Sequence, residues 1–314
     1  MFSLLFIADI HGSTGILTKA LRAAEKYRVD LLIIGGDLKG KFLIPILSDG
    51  KDYRWEDPVS GSARIGGSEA LDAALHEIAT VGAYGAMVDS SYSQRFNEPG
   101  YLDQLLTRLA HDRLQSWLAS LEQFSLATGI AVAMTPGNDD DYGMDTLIRE
   151  KASIIYCEKE AVDVGSFRLA SIADVPHTPW TTYREAPETV IASTLESVFL
   201  QGNRSLPLIL CAHCPPFASN LDTAPVVDRD FRLSLTGGIF ERRPVGSKSL
   251  RSFLEGATNL PLSLHGHIHE SRGFARIGGT LCLNPGSEYG RGLLQGYLVL
   301  LEGSRVSSFQ WIHA

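Results

Sequence analysis

The sequence predicts an α/β fold, on two observations. A strand, helix, strand unit opens the chain, with the apolar run Ser3 to Ala8, helical spacing from Ser13 to Tyr27, and a second apolar run Leu31 to Ile34. Both strands then stop at an acidic residue with glycine close by, Gly12 three positions after Asp9 and Gly36 just before Asp37. That puts Asp9 and Asp37 at the carboxyl ends of neighbouring parallel strands, where open α/β sheets bind their ligands.

The remaining elements follow in order. Ser13 or Thr14 is the expected N-cap of the first helix. From Lys41 to about Gly67 the chain turns polar and Gly-rich, which predicts a loop or small hairpin. Helical spacing returns at about 68–82 and about 100–126, through Leu102, Leu105, Leu106, Leu109, Leu114, Trp117, Leu118 and Leu121, and predicts helices that cover one face of the sheet. A strand from Ile130 to Met134 runs into TPGNDDD, short β-type runs over 153–173 suggest a meander, and PHTPWTTYREAPE reads as a Pro-interrupted loop. Three more apolar strands lead into polar clusters: Leu206 to Leu210 into CAHCPP, Leu260 to Leu264 into HGHIHE, and Thr280 to Leu283 into NPGSEYG. The last expected strand covers about Gly296 to Glu302. No linker or repeat divides the chain, so the expectation is one domain over 1–314, with an inserted loop and helical segment at about 41–128.

Composition narrows the function classes. Hydrophobic residues at 44% and charged residues at 20% are the balance of a folded globular protein. A net charge of -8, with no run of Lys or Arg, argues against long nucleic acid as the partner. No stretch reaches the roughly 18 apolar residues of a membrane span, and the opening lacks the basic region of a signal peptide. Cys157, Cys211, Cys214 and Cys282 are too scattered for a disulfide framework, so a reducing cytoplasm is expected.

The chemistry concentrates at the strand ends. D-I-H-G at Asp9, G-G-D at Asp37, P-G-N-D at Asn138, A-H-C at His213 and H-G-H-I-H from His265 collect five of the nine histidines. Asp9 and His11 are two apart, as are His267 and His269, and in extended backbone such pairs share a side. Carboxylate, imidazole and amide donors without thiolate suit Mn²⁺, Fe²⁺, Zn²⁺, Co²⁺ or Ni²⁺. Two such ions about 3.5–4 Å apart can hold the attacking and leaving oxygens of an in-line displacement.

The ordered motifs D-x-H, G-D, G-N, H and G-H-x-H resemble those of the calcineurin-like metallophosphoesterase superfamily, and GGDLKGK, GNDD, HCPPF, LD, HGHIHESRG and NPGS are similar to its Icc-related branch. The resemblance implies a two-sheet sandwich flanked by helices. It also implies two divalent ions, Mn²⁺ favoured, one held by Asp9, His11, Asp37 and His269 and the other by Asp37, Asn138, His213 and His267, with Asp37 as the bridge. The implied activity is hydrolysis of a small phosphate ester, with a metal-bridging hydroxide attacking phosphorus in line. A catalytically silent scaffold would be expected to lose ligands, and all seven positions are filled.

Asn138 and Asp139 are the expected catalytic residues. Where many members of the superfamily read G-N-H, this chain reads G-N-D, and an aspartate whose ordinary pKa is near 3.9 is a poor proton donor at neutral pH. Left charged, it would repel a dianionic monoester, so diesters are the expected substrates; the rival role for Asp139 is to fix the GNDD turn. Arg184, Arg272 and Arg291 are candidate phosphate clamps, and Trp180 and Tyr289 candidate stacking residues. His265 fits a supporting role beside the ligands, and Cys211 and Cys214 read as core residues, not a redox pair.

Overall fold

Apolar strands buried along their length build two stacked sheets, in a computed structural model that describes residues 1–48, 50–227 and 232–314. The first sheet has the order Arg305–His313, Gln295–Glu302, Phe2–Ala8, Leu31–Gly35, Ala131–Thr135, Ile154–Ile155. From Phe2–Ala8 to Ile154–Ile155 its strands are parallel. The second has the order Gly273–Ile277, Thr280–Asn284, Leu262–Leu264, Leu208–Ala212, Phe167–Ile172, Ala161–Val164, parallel except at its two edges.

The period of two along each strand assigns alternate residues to opposite layers. Leu4, Phe6, Leu31 and Ile33 face inward and meet Leu169, Ile209, Leu262, Leu264, Leu281 and Leu283 of the second sheet. Leu5, Ile7, Leu32 and Ile34 face outward onto the helices Thr14–Tyr27, Tyr101–Thr128 and Tyr142–Arg149. Behind the second sheet, Leu208 and Leu210 pack on Glu188–Phe199 and Lys248–Gly256. Four layers result, and the strands read as continuous apolar runs because both of their faces are buried. This is the helix-flanked sandwich that the motif resemblance implied.

Two expectations change. Residues 41–67 form more than a hairpin: Leu43–Ser48, Tyr53–Glu56 and Ala63–Gly66 join Tyr84–Val88 in a separate four-stranded sheet. The helix Ser68–Thr80 packs Ile78 on Ile46 of that small sheet instead of covering the main one. The segment read as polar because one face of its strands is open to solvent. Tyr101–Thr128 does cover the main sheet, through Leu114, Trp117, Leu118 and Leu121. Ser13, not Thr14, caps the first helix, accepting from the Ile16 N–H.

No helix among the described residues is long and apolar enough to cross a membrane. All four cysteines are free and buried, and burial pushes the Cys211 and Cys214 thiols far up, so the CAHC pair is not poised for redox chemistry.

One buried acid makes stability depend on pH. Glu158 accepts from Ser171 Oγ at 2.7 Å and from the Ala173 N–H at 3.1 Å, yet burial dominates and pushes it up to about 7 from 4.5. The folded state therefore holds a proton that the unfolded chain releases first. The contribution is complete below about pH 4.5 and is lost as pH rises through 7, for a total of about 3 kcal/mol. Glu158→Gln should flatten that limb, measured by urea unfolding at several pH values from 4.5 to 8. An unchanged slope would rule the assignment out.

Candidate metal centre

The carboxyl ends of the parallel strands in both sheets meet at one rim. Asp9 follows Phe2–Ala8, Asp37 follows Leu31–Gly35, Asn138 follows Ala131–Thr135, His213 follows Leu208–Ala212, and His267 and His269 follow Leu262–Leu264. The sheets thus bring together clusters that are far apart in the chain.

Asp9, His11, Asp37 and His269 each offer a donor atom, and these atoms lie within 4.8 Å of one another, a group that can hold a metal ion. His11 Nδ1 donates to the Lys39 carbonyl at 3.1 Å, which leaves Nε2 as a lone pair facing His269 Nε2 at 3.1 Å. Asp37 faces both ways. Its Oδ2 lies 3.5 Å from His11 Nε2, and its Oδ1 lies 3.3 Å from His213 Nε2. On that second side Asn138 Nδ2 is spent on Thr182 Oγ1 at 3.0 Å and on Asp139, whereas buried Asn138 Oδ1 and His213 Nε2 make no hydrogen bond. Buried polar atoms left this way are uncommon and fit cation ligands. His267 stands beside His213, with ring centroids 5.3 Å apart.

The electrostatics call for positive charge. Burial alone would raise both carboxyls, yet the neighbouring imidazoles hold Asp9 below and Asp37 well below the ordinary range. Burial pushes His11 down to about 3 and His267 to about 4, so both are neutral donors. His213 moves the other way, up to about 9, because Asp37 and Asp9 overcome its burial. Two buried carboxylates are drawing a proton where a divalent ion would serve better.

The local backbone differs from the extended geometry expected of the i, i+2 pairs. Asp9, His11, Asp37 and His267 all have positive φ, at 54°, 38°, 47° and 66°. Such conformations cost on the order of 1–3 kcal/mol each and persist only when the surroundings fix them. Here cross-loop bonds do so: the His11 N–H donates to Asp37 O and the Gly12 N–H to Leu38 O, while Ser287 Oγ donates to Asp9 O. Tight turns, rather than strand alternation, aim the pairs. Glycine makes room at two points, since a Cβ on Gly36 would lie 2.0 Å from His213 Nδ1 and one on Gly266 would lie 2.4 Å from Asp9 Oδ2.

Other motif residues hold the ligand loops. Asn284 of NPGS donates to the Gly266 and Ile268 carbonyls on either side of His267. Asp222 accepts from the Ala218, Ser219 and Gly246 N–H groups behind His213. His265 is buried, donates Nδ1–H to Ala212 O at 2.8 Å, and is pushed by burial down to about 4, which gives it the supporting role expected. From the inserted segment, Arg113 reaches the Gly12 carbonyl at 2.7 Å and braces the D-I-H-G turn.

Two expectations at the rim are corrected. Arg184 is no phosphate clamp: it is buried, donates to Asp140 O and Asp141 O, pairs with Asp145 Oδ1 at 2.7 Å, and lies over the Tyr142 ring. The turn-fixing role weighed for Asp139 belongs to Asp140, whose carboxylate accepts from the Leu38, Lys39 and Gly137 N–H groups. Asp139 instead pairs with Lys41, a residue the sequence reading passed over although it lies in GGDLKGK. Burial and Asp37 push Asp139 up to about 6, with Lys41 opposing.

Arg272 stacks over Trp311 at 4.0 Å and, with His269, lines a cavity of about 400 Å³. Arg291 is exposed and pairs with Glu288 at 2.8 Å. Tyr289 packs against His11, centroids 4.4 Å apart, and Trp180 lies exposed in its loop.

Fold and site together define a mixed α/β protein with an Asp/His cluster for metal at the converging ends of two sheets. No protein-family model matches the sequence. Over 162 residues it is 29% identical to an uncharacterized protein of Methanocaldococcus jannaschii, a match spanning 51% of this chain and 66% of that relative. A crystal structure of a Thermus thermophilus protein, 10% identical, aligns over 99% of this chain and 97% of its own with a TM-score of 0.54. Another crystal structure, 13% identical, aligns over 99% and 98% with a TM-score of 0.55. At these identities the likeness is one of fold. A solved archaeal phosphodiesterase aligns over 100% of both chains at 11% identity and a TM-score of 0.42, below the range in which a shared fold is established.

Proposed function

We propose that this chain hydrolyses small phosphate esters with two divalent first-row ions, Mn²⁺ favoured. The observation that carries the reading is Asp37, which turns one oxygen toward His11 of a compact four-residue ligand group and the other toward His213, beside the unbonded Asn138 Oδ1. Asp9, His11, Asp37 and His269 would hold one ion, and Asp37, Asn138, His213 and His267 the other. Ions in these places supply Lewis acidity and charge compensation for in-line displacement at phosphorus.

The protein's own groups set the rest. Thr182 fixes the Asn138 amide, so that its oxygen is the free end. The Asp139 charge is offset by Lys41, which removes the ground for expecting repulsion of a dianion. The reading therefore takes in monoesters as well as diesters.

Chelation is the direct test. Thorough removal of metal should reduce hydrolysis of an activated aryl phosphodiester to background. Mn²⁺ should restore it better than Mg²⁺, which prefers all-oxygen octahedral sites over imidazole. Hydrolysis that survives chelation would overturn the proposal.

A further inference from the structure

We propose that Lys41 anchors the phosphate group of the substrate and that Asp139 is the resting partner of its ammonium, an inference that rests on the phosphoester reading above. Lys41 opens the inserted segment, immediately after a loop held firmly at both edges. The Lys39 N–H donates to Asp140 at 2.8 Å and the Gly40 N–H to Tyr84 Oη at 2.9 Å. From that fixed root the side chain reaches the rim, 45% exposed, and pairs with Asp139, the neighbour of Asn138. The Asp139 N–H in turn donates to Asp37 Oδ1 at 3.0 Å, which sets the ammonium's partner directly beside the ligand cluster.

The other cations nearby are committed elsewhere. Lys39, two residues earlier, turns inward to Thr107 Oγ1 at 3.1 Å and Tyr183 Oη at 3.3 Å. Arg113 is spent on Gly12 O, Arg184 on Asp145, and Arg291 on Glu288. Arg272 sits over the Trp311 ring, 4.0 Å from its centroid. Lys41 keeps spare capacity: an ammonium has three donors, and Asp139 takes one. A phosphate oxygen arriving at the cluster can accept another, as a point charge on a flexible stem allows. Asp139 keeps the ammonium at the rim while no anion is there.

The rival account is that Lys41 serves only to neutralise Asp139. Both accounts can be put to calorimetric binding of inorganic phosphate to the Mn²⁺-loaded protein, with metal content measured for every variant. Lys41→Met should weaken phosphate binding roughly 10-fold or more, the scale of a lost charge-assisted hydrogen bond, at unchanged metal content. Lys41→Arg should recover part of the loss, and Asp139→Asn should bind at least as tightly as wild type. The double variant Lys41→Met with Asp139→Asn separates the accounts, since it stays weak if Lys41 touches the anion and regains wild-type affinity if Lys41 only balances Asp139. That recovery would overturn the proposal, as would wild-type affinity in Lys41→Met or a loss of metal from it. A loaded wild type that neither binds phosphate nor hydrolyses esters would overturn the phosphoester reading with it.

Discussion

On the proposed phosphoester reading, Asp37→Ala should lose most of the bound metal and at least about 100-fold of the hydrolytic rate. Changing groups that merely orient a metal ligand costs 10–100-fold in affinity or activity, and Asp37 is placed to act on both sides of the site. Its two oxygens face different histidines, one from each proposed ligand set. The fold should survive, because Asp37 lies on a rim loop whose neighbours Leu38 and Lys39 are held by Asp140. Elemental analysis gives the first readout, with close to two ions per chain expected in wild type and a clear deficit in the variant. Thermal unfolding gives the second: binding to the folded state alone raises stability by mass action, so Mn²⁺ should raise the melting temperature of wild type and leave the variant nearly unmoved. Unchanged stoichiometry in Asp37→Ala would remove the bridging role.

Arg184→Ala should destabilise the protein by about 3 kcal/mol, the low end of the cost of removing one partner of a buried ion pair, because Asp145 stays partly exposed. The loss has three parts. Asp145 keeps its charge without a counterion, the Asp140 and Asp141 carbonyls lose their donors, and the guanidinium leaves the face of Tyr142. Arg184→Lys should recover only part of this, since a single ammonium cannot span a carboxylate and two carbonyls. Denaturant unfolding of both variants is the measurement. A variant that keeps wild-type stability but binds phosphate more weakly would return Arg184 to the clamp role that its sequence position suggested.

Much of the site was legible because its chemistry uses few residue types in short runs. Aspartate and histidine at the ends of apolar runs have a physical reason to be there, and five such clusters in order pointed to a candidate metal centre. The central strands were equally plain, since burial on both faces leaves unbroken apolar runs. The helices Tyr142–Arg149, Glu188–Phe199 and Lys248–Gly256 were missed, as were the strands Gly273–Ile277 and Arg305–His313. They are short or half-exposed. Arg305–His313 mixes exposed and partly buried positions, and its pairing with Gln295–Glu302 is what defines it.

By itself the sequence determined the α/β class, the central strands and the identity of the candidate metal donors, because these follow from local apolar pattern and donor chemistry. Which cation faces the rim was decided only in three dimensions. Lys39 and Lys41 share a motif and a charge, yet one turns inward to Thr107 and Tyr183 while the other meets Asp139. Asp139 and Asp140 are adjacent and chemically alike, yet one binds a lysine and the other three backbone N–H groups. Spacing along the chain carries no record of such choices. Apart from Gly137, their partners lie 68 to 144 residues away, and it is the pairing of Leu31–Gly35 with Ala131–Thr135 in the first sheet that sets the two loops side by side.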